Sequence, residues 1–262
     1  MSAEPWTDRR YLRDEQYRDQ TNLRARIELH ARFSTNPGWQ QWVFDRLELA
    51  DGERVLEVGC GPGDLWRANL DRLPDVALTL ADLSPGMIDA AREAVGVRAE
   101  YAVADAQELP LPDGSFDLVV ANHMLYHVPD RPRALAELRR VLRPGGRLVA
   151  TTNGAEHLAE LVRLSGAPGA NGFRGFDRFG LENGPAQLEP FFADVEVERY
   201  EDALEVTEVE PVLAYLRSTM SLRPDEDDLP RISREVAAAI ERDGSFHVTK
   251  SQGLVRGGVP LT

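Results

Sequence analysis

The segment at residues 55–64, Val-Leu-Glu-Val-Gly-Cys-Gly-Pro-Gly-Asp, restricts the possible folds of this chain more than any other part. Val55–Val58 is a short run rich in β-branched residues, which is typical of a buried strand. Three glycines follow at alternate positions, Gly59, Gly61 and Gly63. Glycine adopts backbone conformations closed to other residues, and without a Cβ it lets a ligand lie against the main chain. A strand that leads into such a loop and then a helix predicts a nucleotide-binding cradle.

Two carboxylates beside this loop indicate which kind of nucleotide it binds. A diphosphate-binding fingerprint has the form G-x-G-x-x-G/A, whereas here Asp64 takes the position of the third small residue and Glu57 precedes the loop. These carboxylates would repel a diphosphate and attract a cation. S-adenosylmethionine (SAM) carries a sulfonium and an ammonium and no phosphate. The residues therefore favour a SAM-type ligand, with a NAD-type site and a purely structural turn as alternatives.

Composition and charge exclude several classes of protein. A chain of 262 residues, 42% of them hydrophobic, can bury a single-domain core and has room for a small second lobe. Acidic residues outnumber basic ones by 44 to 30, for a net charge of −14. Nucleic-acid binders need a basic surface to displace counterions, so we expect no nucleic-acid partner.

Neither a membrane segment nor a secretory segment is expected. No apolar run approaches the roughly 20 residues that span a bilayer. The first twenty residues are charged and lack the apolar region of a signal peptide. We therefore expect a cytoplasmic protein with no membrane partner, either a monomer or a homodimer.

Four segments of the chain, in register, resemble class I SAM-dependent methyltransferases. The sequence E-x-G-C-G-x-G at residues 57–63 resembles the family's first motif. Residues 78–92 resemble its second strand and following helix, and residues 103–130 its third and fourth strands. Residues 134–152 resemble its next helix, Pro-Gly-Gly turn and fifth strand. The chain resembles the broad group of ubiquinone/menaquinone-biosynthesis methyltransferases, which implies a small-molecule substrate.

The expected fold is α/β. Strand and helix patterns alternate over residues 53–152, which predicts a parallel, doubly wound sheet. The resemblance identifies the strand patterns at 195–206 and 245–257 as the sixth and seventh strands, with helices near 209–219 and 230–242 between them. It thus implies a Rossmann-like sheet of seven strands, six parallel and one antiparallel.

Four parts are expected along the chain. They are an N-terminal helical cap (1–50), a SAM-binding Rossmann-like core (51–154), a lid or insertion after strand five (155–190), and the C-terminal part of the core sheet (191–262). The insertion is rich in glycine and carries Phe173, Phe176 and Phe179 at intervals of three. These rings form either a buried helical stripe or a lid that faces a substrate.

The cofactor-binding residues are predicted from strand ends. Asp82 ends a strand about twenty residues after the glycine loop, where a carboxylate can accept hydrogen bonds from a ribose diol. The resemblance implies that Asp105 accepts from the adenine amino group and that Ala106 presents its backbone amide to the ring. Leu83 and Met87 could sandwich the adenine, with core packing as the alternative for Met87. The further predicted cofactor contacts are Glu57, Gly59, Cys60, Gly61, Gly63, Asn122, His123, Tyr11, Tyr17 and Arg26.

Methyl transfer is an in-line displacement at a sulfonium methyl, so the leaving group needs no proton. Holding the nucleophile and the methyl group collinear in a dry pocket can supply most of the catalysis. A general base is required only if the nucleophile arrives protonated. The candidates are His127, Tyr17 and His30, and a structural role in the turn that follows strand four is the alternative for His127.

Neither a metal nor a reactive cysteine is expected. His123 and His127 have the i, i+4 spacing of a zinc motif, but Met124 stands where that motif has glutamate, and a third ligand is missing. Cys60 is the only cysteine, so we expect it to fill a small-residue position in the glycine loop.

The predicted function is transfer of a methyl group from SAM to a carbon, oxygen or nitrogen nucleophile of a small molecule, with S-adenosyl-L-homocysteine (SAH) as the product. Bacterial specialised or quinone-type metabolism is the expected setting. Two alternatives remain open: a nicotinamide-dependent oxidoreductase and a non-catalytic SAM-binding regulatory module.

Overall fold

The computed structural model of the chain describes residues 28–166, 178–219 and 222–261. The strands in these ranges are β1 (Arg54–Val58), β2 (Ala77–Asp82), β3 (Ala99–Val103), β4 (Phe116–Asn122), β5 (Leu142–Asn153), β6 (Ala193–Val206) and β7 (Phe246–Gly258). They form one sheet in the order β3-β2-β1-β4-β5-β7-β6.

Helices cover both faces of the sheet. They are α1 (Trp39–Arg46), α2 (Asp64–Arg67), α3 (Pro85–Val95), α4 (Arg131–Val141), α5 (Ala159–Ser165), α6 (Gly184–Leu188), α7 (Val209–Ser218) and α8 (Leu229–Asp243). Short 3₁₀ turns lie at Leu70–Arg72, Gly96–Arg98, Leu125–His127 and Glu226–Asp228. Residues 28–33 are also helical and precede α1.

The strand directions confirm the predicted sheet. The pairs β1–β2, β1–β4, β2–β3 and β4–β5 are parallel, whereas β7 lies antiparallel between β5 and β6. Six strands therefore share one direction and β7 opposes them. Because the strand order reverses between β1 and β4, the carboxyl ends of these strands open a crevice where α/β proteins bind ligands.

Local sequence signals explain where the key elements begin. Every residue of β1 after Arg54 is buried, as expected for a parallel strand covered on both faces. Ser84 caps α3 by accepting a hydrogen bond from the Met87 backbone N–H, and Pro85 occupies the first helical position. Asp130 caps α4 in the same way, accepting from the Arg133 N–H at 3.1 Å.

The buried side chains form three clusters around the sheet. One includes Leu138 of α4, a second includes Trp66 of α2, and a third includes Ile232 of α8. Phe179 is completely buried in the first cluster, so this ring packs in the core. Phe173 and Phe176 lie outside the described residues, and the proposed lid stays a prediction.

In the ranges that the structure describes, no helix combines the length and the apolar character needed to cross a membrane.

Candidate functional site

A cavity of about 650 Å³ opens at the carboxyl ends of the parallel strands. One end, here called the glycine-loop end, is lined by residues 57–62, 64 and 65 and by the segments that follow β2 and β3, whereas Gly63 is not among the lining residues. The other end, here called the β7 end, is lined by residues from the 30–40 segment, β6 and β7. A single cavity thus joins the predicted nucleotide cradle to a region that no motif predicted.

The glycine loop is held against β2 by backbone hydrogen bonds. The N–H groups of Gly59 and Cys60 donate to the Ala81 carbonyl at 2.8 and 3.1 Å. Gly59 has a φ of +72°, and a Cβ there would lie 2.7 Å from the Met124 Cβ. Gly61 also has a positive φ, +54°, but nothing lies within 4 Å of the Cβ position. Gly59 is therefore required by packing, whereas Gly61 leaves its main chain open to a ligand.

Asp82 fixes this loop at the end of β2. Its Oδ2 accepts from the Gly61 N–H at 2.9 Å, and its Oδ1 accepts from the Ser84 N–H at 2.8 Å. Burial raises the pKa of Asp82, and these hydrogen bonds oppose the shift. A carboxylate has about four acceptor sites. Asp82 can therefore still accept from a ligand, and its predicted contact with a ribose diol stays a prediction.

The two carboxyl groups beside the loop differ from the sequence-based expectation. Glu57 is almost completely buried, and the indole N–H of Trp66 donates to its Oε2 at 2.5 Å. Burial raises the pKa of Glu57 to about 8, and the Asp82 charge adds to the shift. Asp64 pairs with Arg67 at 2.9 Å. The expectation of two free negative charges is thus corrected, since burial holds Glu57 protonated at neutral pH and an ion pair compensates Asp64.

The segments after β2 and β3 place the predicted adenine contacts along the cavity. Leu83 and Met87 both line it, and Met87 is also buried, so cavity lining and core packing coexist there. Asp105 Oδ1 accepts from the backbone N–H of Gln107 at 2.9 Å, while Ala106 lies buried between them. The structure brings these residues together, and their adenine contacts remain predictions.

Cys60 is buried in the loop, and its thiol lies 3.4 Å from the Gly61 carbonyl oxygen. Burial raises the pKa of this thiol further, so the thiolate that a nucleophile needs is disfavoured. The environment is that of a packed small residue.

The end of β4 carries Asn122 and His123 into the cavity. The Thr151 hydroxyl donates to Asn122 Oδ1, and the His123 N–H donates to the Thr151 carbonyl at 3.1 Å. His123 has a φ of +51°, a conformation that is uncommon outside glycine. Its ring lies 5.5 Å from that of Trp39, and burial lowers its pKa to about 4. His123 therefore presents a neutral imidazole.

The candidate general bases have different environments. His127 lies in the Leu125–His127 turn, with its ring 4.6 Å from that of Tyr126, and lines the cavity. His30 lines the β7 end, and burial lowers its pKa to about 3. A general base works best with a pKa near the working pH, so this shift makes His30 the weaker candidate. Tyr11, Tyr17 and Arg26 lie outside the described residues.

A search of the described ranges found no group of three or more His, Cys, Asp or Glu side chains that could hold a metal ion. His123 and His127 thus have no third ligand of these types within those ranges.

Sequence reasoning missed the polar residues of the β7 end. Lys250 of β7 forms a buried ion pair with Asp202 of β6, and His157 and Gln252 line the same part of the cavity. The only signal in the sequence was that Lys250 is the single lysine of the chain. No motif relates these residues, because the fold brings Asp202 of β6 and His157 of the segment before α5 to Lys250 and Gln252 of β7.

Asp202 also fastens the segment that closes this end. Its carboxylate accepts from the Ser34 hydroxyl at 2.8 Å and from the Asn36 N–H at 3.0 Å. The Tyr200 hydroxyl donates to the Asn36 carbonyl at 2.6 Å, and its ring packs 5.4 Å from that of Trp39. The chain before α1 thus forms one wall of the cavity.

Residues 56–150 match a family model described as a methyltransferase domain. A 27-O-demethylrifamycin SV methyltransferase from Amycolatopsis mediterranei is 36% identical over 160 residues, which cover 56% of this chain and 58% of that protein. A ubiquinone/menaquinone biosynthesis C-methyltransferase, UbiE, from Hahella chejuensis is 37% identical over 118 residues, which cover 42% and 47%. The chain spans about half the length of the curated relatives it matches.

Solved structures share the fold over nearly the whole chain. A phosphoethanolamine N-methyltransferase 2 from Haemonchus contortus, solved in complex with SAM, has a TM-score of 0.62 and 19% identity. The match covers 99% of this chain and 61% of that one. At 19% identity this similarity shows a shared fold and nothing further.

Proposed function

We propose that this chain, whose residues 56–150 match a methyltransferase domain, is a class I SAM-dependent methyltransferase that transfers a methyl group from SAM to a small-molecule acceptor. The feature that supports this proposal most directly is the pairing of an open main chain at Gly61 with the buried carboxyl group of Glu57 and the half-buried carboxylate of Asp82. Such a site suits a ligand with a ribose and a cationic group, and Asp64 stands where the diphosphate-binding fingerprint has a small residue.

The residues of the glycine-loop end fit the cofactor. The open space beside Gly61 admits a ligand against the backbone, and Asp82 retains lone pairs for hydroxyl groups. Asp105 lines the same cavity. A cation near Glu57 would favour the ionised carboxylate over the protonated form. We propose that these residues, with Leu83 and Met87, hold SAM.

When bound, SAM supplies an electrophilic methyl group on a positively charged sulfur. The protein then needs to hold the acceptor in line with that group and to exclude water. Trp39 and His123 both line the cavity, and their ring centroids lie 5.5 Å apart. We propose that these rings position the acceptor, with His127 near enough to take a proton from a neutral one.

The acceptor is proposed to be a small organic molecule of specialised or quinone-type metabolism. The names of two relatives, a demethylrifamycin methyltransferase and a ubiquinone/menaquinone biosynthesis methyltransferase, support this class. Whether carbon, oxygen or nitrogen receives the methyl group depends on the acceptor.

Isothermal titration calorimetry with SAH and NAD⁺ tests the cofactor. We expect SAH to give a measurable heat of binding and NAD⁺ to give none. Asp82→Ala should weaken SAH binding tenfold to a hundredfold, since a charge-assisted hydrogen bond contributes about 1.5–3 kcal/mol. The variant Asp82→Asn retains one acceptor oxygen and should lose less. Tight NAD⁺ binding without SAH binding would refute the proposal.

A further inference from the structure

The β7 end of the cavity contains the buried ammonium of Lys250, whose N–H donors are not all paired within the described residues. The Lys250 side chain is 5% exposed and the Asp202 side chain is 1% exposed. An ammonium has three N–H donors, and in the described part of the chain the only acceptor shown for Lys250 is Asp202. A buried donor without a partner costs free energy, and a buried charge costs more.

A second unused donor lies on the same face of β7. The Nε2 of Gln252 is buried and has no hydrogen-bond partner among the described residues. Lys250 and Gln252 are two positions apart on one strand, so their side chains project from the same face about 7 Å apart. Both side chains line the cavity.

The carboxylate that pairs with Lys250 is shared with other donors. Asp202 already accepts from Lys250, from the Ser34 hydroxyl and from the Asn36 N–H. His157 accepts the Ser251 N–H at its Nδ1, at 3.3 Å, so in a neutral ring its Nε2 is a further donor. The β7 end thus presents N–H groups of Lys250, Gln252 and His157 to whatever enters it. The same end also includes Gln40, whose Oε1 is a buried acceptor with no partner among the described residues.

Building on the proposed function, we propose that Lys250 and Gln252 together bind an anionic oxygen of the methyl acceptor. The acceptor is then an organic acid in the broad sense, a phenol, an enol or a carboxylic acid, bound in its deprotonated form. The hydrogen bond from Lys250 would join two charged groups, and the one from Gln252 would have a charged acceptor. Both would therefore be charge-assisted hydrogen bonds, which are stronger than bonds between neutral groups. An acceptor that arrives deprotonated needs no general base.

Gln252→Met tests this assignment without removing any observed hydrogen bond of the Nε2 group. Three probes are added to the SAH-saturated protein: 4-nitrophenol, 4-nitrobenzoate and the neutral 4-nitroanisole. We expect one or both acids to bind at least tenfold more tightly than 4-nitroanisole, and Gln252→Met to remove most of this difference. The variant should keep its SAH affinity, and its melting temperature should not fall, because an unpaired buried donor has been removed.

A matched control is Gln187→Met on α6. Gln187 Nε2 donates to the Arg178 carbonyl at 2.9 Å, and the residue does not line the cavity. This variant should lower the melting temperature and leave probe binding unchanged.

The probes distinguish the two sources of anionic oxygen. Preference for 4-nitrophenol, with a lowered apparent pKa of its visible absorption band, indicates a phenol or enol. Preference for 4-nitrobenzoate indicates a carboxylic acid. The inference is overturned if 4-nitroanisole binds as tightly as the acids, if no probe binds, or if Gln252→Met only destabilises the fold. Absence of SAH binding would instead count against the proposed function.

The single lysine gives a readout that is independent of affinity. Protein grown with lysine labelled with ¹⁵N at Nζ yields one ammonium signal in an NMR spectrum, that of Lys250. The preferred acid should shift this signal in the wild type, and 4-nitroanisole should leave it in place. An ammonium signal that neither acid shifts would contradict the assignment.

Discussion

At the scale of single residues, the most informative side chain is Glu57. Its position before the glycine loop suggests a fixed negative charge, yet burial raises its pKa to about 8 and Trp66 occupies one of its oxygens. The carboxyl group is therefore mostly neutral at pH 7 in the free protein. A cationic ligand changes this balance, because it favours the ionised form.

SAM binding should therefore release protons and tighten with increasing pH. The free carboxyl has a pKa of about 8, and a nearby cation lowers it, so affinity should rise as the pH approaches 8 and level off above it. Calorimetry in two buffers of different ionisation enthalpy counts the released protons. Glu57→Gln keeps an oxygen for Trp66 and removes the titration, so its release should be smaller. If the wild type and Glu57→Gln release the same number of protons, Glu57 is not the group that titrates on SAM binding.

At the scale of elements, the connection from β1 to α2 depends on two glycines with different roles. Gly59 packs against Met124, and Gly61 faces open space. Both have positive φ, which costs a substituted alanine roughly 1 kcal/mol. Only Gly59 adds a steric clash to this cost.

The two alanine variants should separate stability from binding. Gly59→Ala should lower the free energy of unfolding by roughly 2–4 kcal/mol, since overpacking adds to the backbone strain. Gly61→Ala should cost about 1 kcal/mol and weaken SAH binding at least tenfold. Urea denaturation and calorimetry measure the two quantities. Equal losses of stability would show that the Met124 contact is unimportant.

At the scale of the whole molecule, the Lys250–Asp202 pair joins parts of the chain that are far apart in sequence. It links β7 to β6, and Asp202 also holds Ser34 and Asn36 of the N-terminal wall. The same pair that completes the cavity thus contributes to the folding of its surroundings.

Removing one member of this pair should be costly. Asp202→Ala leaves a buried ammonium without its counterion, and the expected loss is about 3–5 kcal/mol in the free energy of unfolding. Combining Lys250→Met with Asp202→Asn removes both charges and should recover a large part of the loss. Urea denaturation measures the difference. A loss below about 1 kcal/mol for Asp202→Ala would mean that water solvates Lys250.

The sequence alone determined where the strands and helices of the core lie along the chain, the glycine loop and the position of Asp82. Hydrophobic period and turn residues are local signals, and the helices predicted near 209–219 and 230–242 correspond to α7 and α8. Tertiary structure decided the protonation of Glu57, the neutral state of His30 and the pairing of Lys250 with Asp202. Burial and cross-strand contact create these properties. Because the residues involved are far apart in the chain, no local sequence pattern predicts them.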